Sequence, residues 1–185
     1  MTTYTSKNLK PLGGIILTIN LQKKSITVSI DGRSVGFSKV APMKFDPEKI
    51  RACLQYIEEY LEKREIDVEF ALFIPAFIKD DDFRKEMKGH GNTDLHLVTG
   101  LKPNDPRDDK YALGETILSD GFFVSNDKRM HEHSYNRLID RAWIASRRIG
   151  FRFEKGPVFI PGFPEQWHKT CSELGSRDGN KEVIE

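Results

Sequence analysis

Carboxylates recur at marked places in this chain. Asp31 stands in "ITVSIDG", and "RDDKYALGETILSDGFFVSND" carries Asp108, Asp109, Asp120 and Asp127. Three or four carboxylates gathered without Lys or Arg partners repel one another, and such a group persists where a divalent cation offsets the charge. All-oxygen ligands without Cys or His suit Mg²⁺ or Mn²⁺ rather than Zn²⁺. A site of that kind lowers the pKa of a bound water and stabilises charge on a phosphodiester during in-line displacement. Each aspartate alone also has an ordinary structural role. Asp31 reads as a turn residue before Gly32, Asp108 as a helix N-cap, and Asp109 as a first-turn acid that complements the helix dipole. The choice between these roles depends on whether the fold brings the carboxylates together.

The elements that must position them are legible in outline. The β-branched runs Ile15–Ile19 and Ile26–Ile30 read as strands, together able to form a hairpin, and the second ends in the turn signal Asp31-Gly32. In "FDPEKIRACLQYIEEYLEKREI" Asp46 is the expected N-cap and Pro47 the first helical residue. Ile50, Cys53, Leu54, Ile57 and Leu61 then recur on one helix face. Val68–Pro75 is a near-continuous apolar strand of the kind buried on both faces of a parallel sheet. A short helix over Asp82–Lys88 and a strand at Leu95–Gly100 follow. The acidic run Asp80, Asp81 and Asp82 reads as the cap of that helix. From Asp108 a helical pattern runs to Leu118, then a strand over Gly121–Asn126. Ser134–Gly150 reads as a helix, and one or two short strands close the domain before a polar, loosely ordered tail over 166–185. Trp143, Phe151 and Phe153 read as core residues. Strands alternating with helices imply an α/β domain, with three α/β/α layers around a central, mostly parallel sheet.

In such a fold ligands bind beyond the carboxyl ends of the strands. Asp31 directly follows a strand and belongs on that edge. The helix starting at Asp108 runs antiparallel to the strand it precedes, so its N-terminus lies on the same edge, as does Asp127 at that strand's end. Asp120 falls at the opposite edge, because seven extended residues of about 3.3 Å each separate it from Asp127. Its expected role is turn chemistry before Gly121.

Bulk properties limit the alternatives. The chain has 185 residues, 31% of them charged, with a formal net charge of +1, so a nucleic-acid surface must be a local patch. Cys53 and Cys171 are too few for a disulfide framework or a zinc finger. No run approaches the roughly 20 apolar residues that span a bilayer, and the start has no secretory apolar core. A soluble, cytoplasmic protein without a membrane partner is expected, with a nuclear location also open.

The same residues carry a family likeness. "ITVSIDGRSVGFS" resembles the opening motif of the Regnase-type NYN ribonucleases of the PIN-like nuclease superfamily, and "DVEFALFIPAF" resembles their second strand. "DDKYALGETILSDGFFVSND" is similar to the family's helix-to-strand motif at the same spacing, and "RLIDRAWIASRRIGFRFEKGPVFIPGFP" to its closing segment. The resemblance implies a Rossmann-like PIN domain over 25–165, preceded by an extension over 1–24 with room for an added strand. It implies Mg²⁺-dependent endoribonuclease cleavage of single-stranded or loop RNA, in RNA decay or silencing. Asp31, Asp108, Asp109 and Asp127 become the metal-binding and catalytic set. Ser34 takes the place of a family Asn, and "KRMHE" replaces the usual segment after the last aspartate. These departures keep open a degenerate domain that binds RNA or protein without cutting, and a third reading has DNA or structured RNA as substrate.

For RNA contacts the candidates are Arg33, Ser34, Asn126, Lys128, Arg129, Arg137 and Arg141. Between Asp127 and Lys155 bases outnumber acids, which suits phosphate tracking as well as an ordinary solvated helix face. His131 and His133, in "HEH", hold an acid–base pair in reserve, and Tyr135 is a candidate for base stacking. A homo-oligomer or a protein partner is compatible with the resemblance.

Overall fold

Alternation within the strands sets the frame. The computed structural model describes residues 24–37, 44–99, 107–127 and 141–175. In β1 (Ser25–Asp31) the apolar Ile26, Val28 and Ile30 face one way, and Thr27, Ser29 and Asp31 face the other. β2 (Asp67–Pro75) is buried throughout its apolar second half. The other strands are β3 (Thr93–Val98), β4 (Phe122–Val124), β5 (Arg148–Glu154) and β6 (Val158–Gly162). They form one sheet in the order β3-β2-β1-β4-β5-β6, with parallel pairing except between β5 and β6.

Helices cover both faces. α1 (Gly32–Gly36) is a single short turn after β1. On the apolar side of β1 lie α2 (Pro47–Glu62), α3 (Asp81–Gly89) and α6 (Glu165–Gly175). α2 begins where Asp46 accepts the Glu48 N–H at 3.2 Å, and it buries the five residues expected from its periodicity. α3 begins where Asp80 accepts the Phe83 N–H at 2.9 Å, so the acidic run does cap a helix. The opposite side carries α4 (Arg107–Ser119) and α5 (Arg141–Arg147), which bury Ala112, Leu113 and Ile144 against Ala71, Phe73 and Phe123. The fold is a three-layer, mostly parallel α/β/α arrangement.

Two expectations change. β1 itself lies mid-sheet, paired with β2 along its length and with β4 over Val28–Ile30. The run Ile15–Ile19 itself lies outside the described residues. The helix read as far as Gly150 stops at Arg147, because Ile149 enters the sheet beside Val124. Residues 166–175, expected in a loose tail, belong to α6. Trp167 and Cys171 recur one turn apart, and Trp167 is fully buried, stacked on Phe163 at 4.6 Å and edge-on to Phe122 at 5.0 Å. Two apolar anchors among polar neighbours are enough to dock a short helix when one of them is a tryptophan.

Trp167→Ala is expected to cost about 3–5 kcal/mol of stability in urea denaturation, the usual range for a buried aromatic truncated to alanine. A loss below about 1 kcal/mol would mean that α6 is not part of the core.

Candidate active site

A sheet wound in this order reverses direction between β1 and β4, and that reversal opens a crevice at the carboxyl ends of the two strands. Asp31 is the last residue of β1. Ile30 pairs with Val124, the last residue of β4, so Ser125, Asn126 and Asp127 leave the sheet directly beside Asp31. Glycine follows Asp31 for a steric reason: a Cβ at Gly32 would stand 2.6 Å from the carbonyl oxygen of Phe73. Gly121 plays the same part at the start of β4, where a Cβ would meet Thr27 O at 2.3 Å.

Asp31 is 1% exposed and its carboxylate is held from two sides. Oδ1 accepts the Ser34 N–H at 2.9 Å, which makes Asp31 the N-cap of α1, and Oδ2 accepts the Ser125 hydroxyl at 2.8 Å. The Ser125 oxygen in turn accepts the Asp127 N–H at 3.1 Å. The Ser34 hydroxyl oxygen accepts the Asn126 N–H at 2.9 Å and so ties α1 to the exit of β4. From the first turn of α4, the Asp109 carboxyl comes within hydrogen-bonding reach of that of Asp31, a contact that needs one of the two protonated.

Burial pushes the Asp31 carboxyl above its ordinary value of 3.8. The Ser34 N–H, Ser125, Asp109 and the Arg33 charge pull the other way, in that order, without offsetting it. Two carboxyls in hydrogen-bond contact need a proton or a cation between them. The donor set therefore fits a hard divalent ion with oxygen ligands.

Of the four expected aspartates, Asp31 and Asp109 come into contact, Asp108 lies in the same first turn of α4, and Asp127 is anchored beside them through its backbone. Among the described residues no three Asp, Glu, His or Cys side chains gather as metal ligands. Asp120 lies at the opposite edge in a left-handed turn, φ +50°, with Oδ1 2.6 Å from Arg147 Nη2.

Asn126, expected at RNA, has its side chain engaged elsewhere. β5 runs past the end of β4, and the Asn126 amide supplies the missing strand partner: Nδ2 donates to Phe151 O at 2.8 Å, and Oδ1 accepts the Phe151 N–H at 3.0 Å. Arg33 lies in α1 with its charge acting on Asp31, and Arg141 is exposed at the start of α5. Lys128, Arg129, His131, His133, Tyr135 and Arg137 lie outside the described residues. Ser125 is the contact that sequence reasoning missed. Its signal is positional, since Asp31 and Ser125 each stand one residue beyond the paired Ile30 and Val124.

No family profile and no curated protein matches the chain. Among solved structures, the crystal structure of nuclear proteinaceous RNase P 2 from A. thaliana aligns at a TM-score of 0.52 and 14% identity, covering 74% of this chain and 29% of that one. A second structure, of Arabidopsis thaliana nuclear protein-only RNase P 2, gives 0.54 and 13% over 78% of this chain and 30% of that one. The chain thus spans under a third of the proteins it matches. At this identity the likeness is one of fold.

The raised Asp31 carboxyl has a thermodynamic consequence. Its contribution to stability is intact below the ordinary carboxyl range and is lost as pH climbs toward the raised folded-state value. At neutral pH in the absence of divalent metal, Asp31→Asn is therefore expected to raise the melting temperature, with the difference vanishing in acid. An unchanged or lowered neutral-pH melting temperature would contradict a destabilising buried carboxylate.

Proposed function

We propose that this domain is a metal-dependent endoribonuclease that hydrolyses single-stranded or loop RNA. The observation that carries the reading is the Asp31–Asp109 carboxyl pair in the crevice between β1 and β4, within a PIN-like fold. Asp31 and Asp109 would hold Mg²⁺ or Mn²⁺, with Asp108 and Asp127 completing the shell directly or through water. Bound there, the ion supplies an acidified water and charge stabilisation at the scissile phosphate. The chain's own residues do the rest. The Ser34 N–H and the Ser125 hydroxyl fix the Asp31 oxygens, and Asp31 holds Asp109. A carboxylate of the set orients the attacking water and takes its proton, and the bond to the 3′ oxygen breaks. The products are 5′-phosphate and 3′-hydroxyl ends. The Arabidopsis RNase P structures support the reading through their fold and their identity as ribonucleases.

A second reading, a binding module that does not cut, is favoured by one observation: Ser34, which stands where the resembled family has Asn, spends its hydroxyl oxygen on the Asn126 N–H.

Labelled single-stranded RNA separates the two. Cleavage is expected with Mg²⁺, abolished by EDTA, and slowed about a hundredfold or more in Asp109→Asn and Asp127→Asn. Cleavage that persists in both variants would remove the aspartate assignment. Cleavage that survives EDTA and disappears in His131→Ala or His133→Ala would point to histidine chemistry. RNA binding without any cleavage would establish the second reading.

A further inference from the structure

Beyond the carboxyl pair the sheet continues through β5 and β6. Among the described residues no helix covers its α4-side face there, because α4 lies over β1, β2 and β4 with α5 beside it. Register decides which side chains stand on that face. Ile30, Val124 and Ile149 share one level and point into the apolar layer. One residue further on, Asp31, Ser125 and Gly150 share the opposite face, and Gly150 pairs with Gly162 on β6. Arg148 and Arg152 stand two residues before and after Gly150 on this same face, with Ile160 beside Arg152. Among the described residues, the face that holds the carboxyl pair runs on to a surface bracketed by two arginines whose Cα atoms stand about 13 Å apart along the strand.

Charge and shape select the occupant. Arg148, Arg152 and Lys155 are the cations of the β5–β6 hairpin, and Glu154 is its one acid. Arg148 Nη1 donates to Asp127 O at 3.1 Å, which places its guanidinium beside the exit of β4. The Arg152–Glu154 pair, 3.2 Å apart with side chains 71% and 57% exposed, is a weak surface contact that a phosphate can replace. Between the arginines the surface is low: a Cβ at Gly150 would meet only Asn126 Oδ1, at 3.9 Å, and one at Gly162 only the Gly150 backbone, at 3.6 Å. β5 also outruns β4, so the hairpin rises past Asp31 as a wall. A phosphodiester reaches the buried Asp31 at the foot of that wall by leaving its stack, which a single strand does far more cheaply than a duplex.

We propose that the α4-side face of the β5–β6 hairpin is the track along which a single RNA strand leaves the carboxyl pair, with phosphates held by Arg148 and Arg152 and the backbone passing over Gly150 and Gly162. The inference rests on the nuclease reading above and names its substrate path. Gly150 and Gly162 show no left-handed φ. Valine at either position therefore suits the strand and stands directly in the track.

The test is anisotropy of a labelled single-stranded oligouridylate with the full chain in EDTA, alongside melting temperatures. Gly150→Val and Gly162→Val are expected to melt at or above the wild-type temperature and to bind about tenfold more weakly. Arg152→Ala is expected to flatten the dependence of log affinity on log salt by about 0.7, one phosphate contact on a single strand. Lys85→Ala, on α3 at the other face, should leave the slope unchanged. Wild-type binding with unaltered affinity in both valine variants and an unaltered Arg152→Ala slope overturns the track and leaves the nuclease reading standing. No binding by the wild type, together with no cleavage in Mg²⁺, overturns both. A duplex that binds more tightly than the single strand and is equally impaired by valine would replace the proposed occupant.

Discussion

A carboxylate out of water needs compensation, and Asp31 is almost fully out of water. It sits at the end of the central strand, where the winding of the sheet reverses. Its partners come from three elements: the Ser34 N–H of α1, the Ser125 hydroxyl after β4, and the Asp109 carboxyl of α4. Each requires the chain to be where it is. Gly32 lets α1 start hard against β2, and Gly121 lets β4 lie close along β1. The α4 helix must return antiparallel to the sheet for Asp109 to arrive over Asp31. The apolar faces of α2 and α4 hold the sheet, and the sheet places one charge where it is least comfortable.

That discomfort is what a functional site of this kind is made of. A buried carboxyl beside a second carboxyl is strained without a proton or a cation, and it becomes a strong ligand pair once a cation arrives. The cost falls on the fold, which offsets it with apolar burial such as the aromatic layer of Phe122, Phe163 and Trp167. The serines matter for the same reason. Ser125 links Asp31 to the Asp127 backbone, and Ser34 links α1 to Asn126, so the ends of β1 and β4 act as one unit. The projecting β5–β6 hairpin, pinned to that unit by Asn126, gives the crevice one tall side.

Much of this is legible in the sequence. The α2 face, the both-sides-buried β2, the capping role of Asp80 and the far-edge position of Asp120 follow from periodicity, turn chemistry and the length of an extended strand. The α/β/α class follows from alternating elements. What was hidden was non-local. Asn126 looks like a free polar residue until β5 is seen to outlast β4. Ser125 looks incidental until its register with Asp31 is known. α6 looks like a tail because only Trp167, Cys171 and Leu174 are apolar among eight polar or small residues, and the stack on Phe163 is invisible to local pattern. Which carboxylates touch is likewise a property of helix placement to within an ångström, which spacing alone does not determine.

In the proposed nuclease, Asp31 and Asp109 would share a proton that a divalent cation displaces. Calorimetric titration of Mn²⁺ into the protein at mildly acidic pH, in two buffers of different ionisation enthalpy, counts protons released per ion bound. Proton release is expected on binding in the wild type, with loss of that release and a large fall in affinity in Asp109→Asn. Binding with no proton release, or with equal affinity in Asp109→Asn, would contradict it.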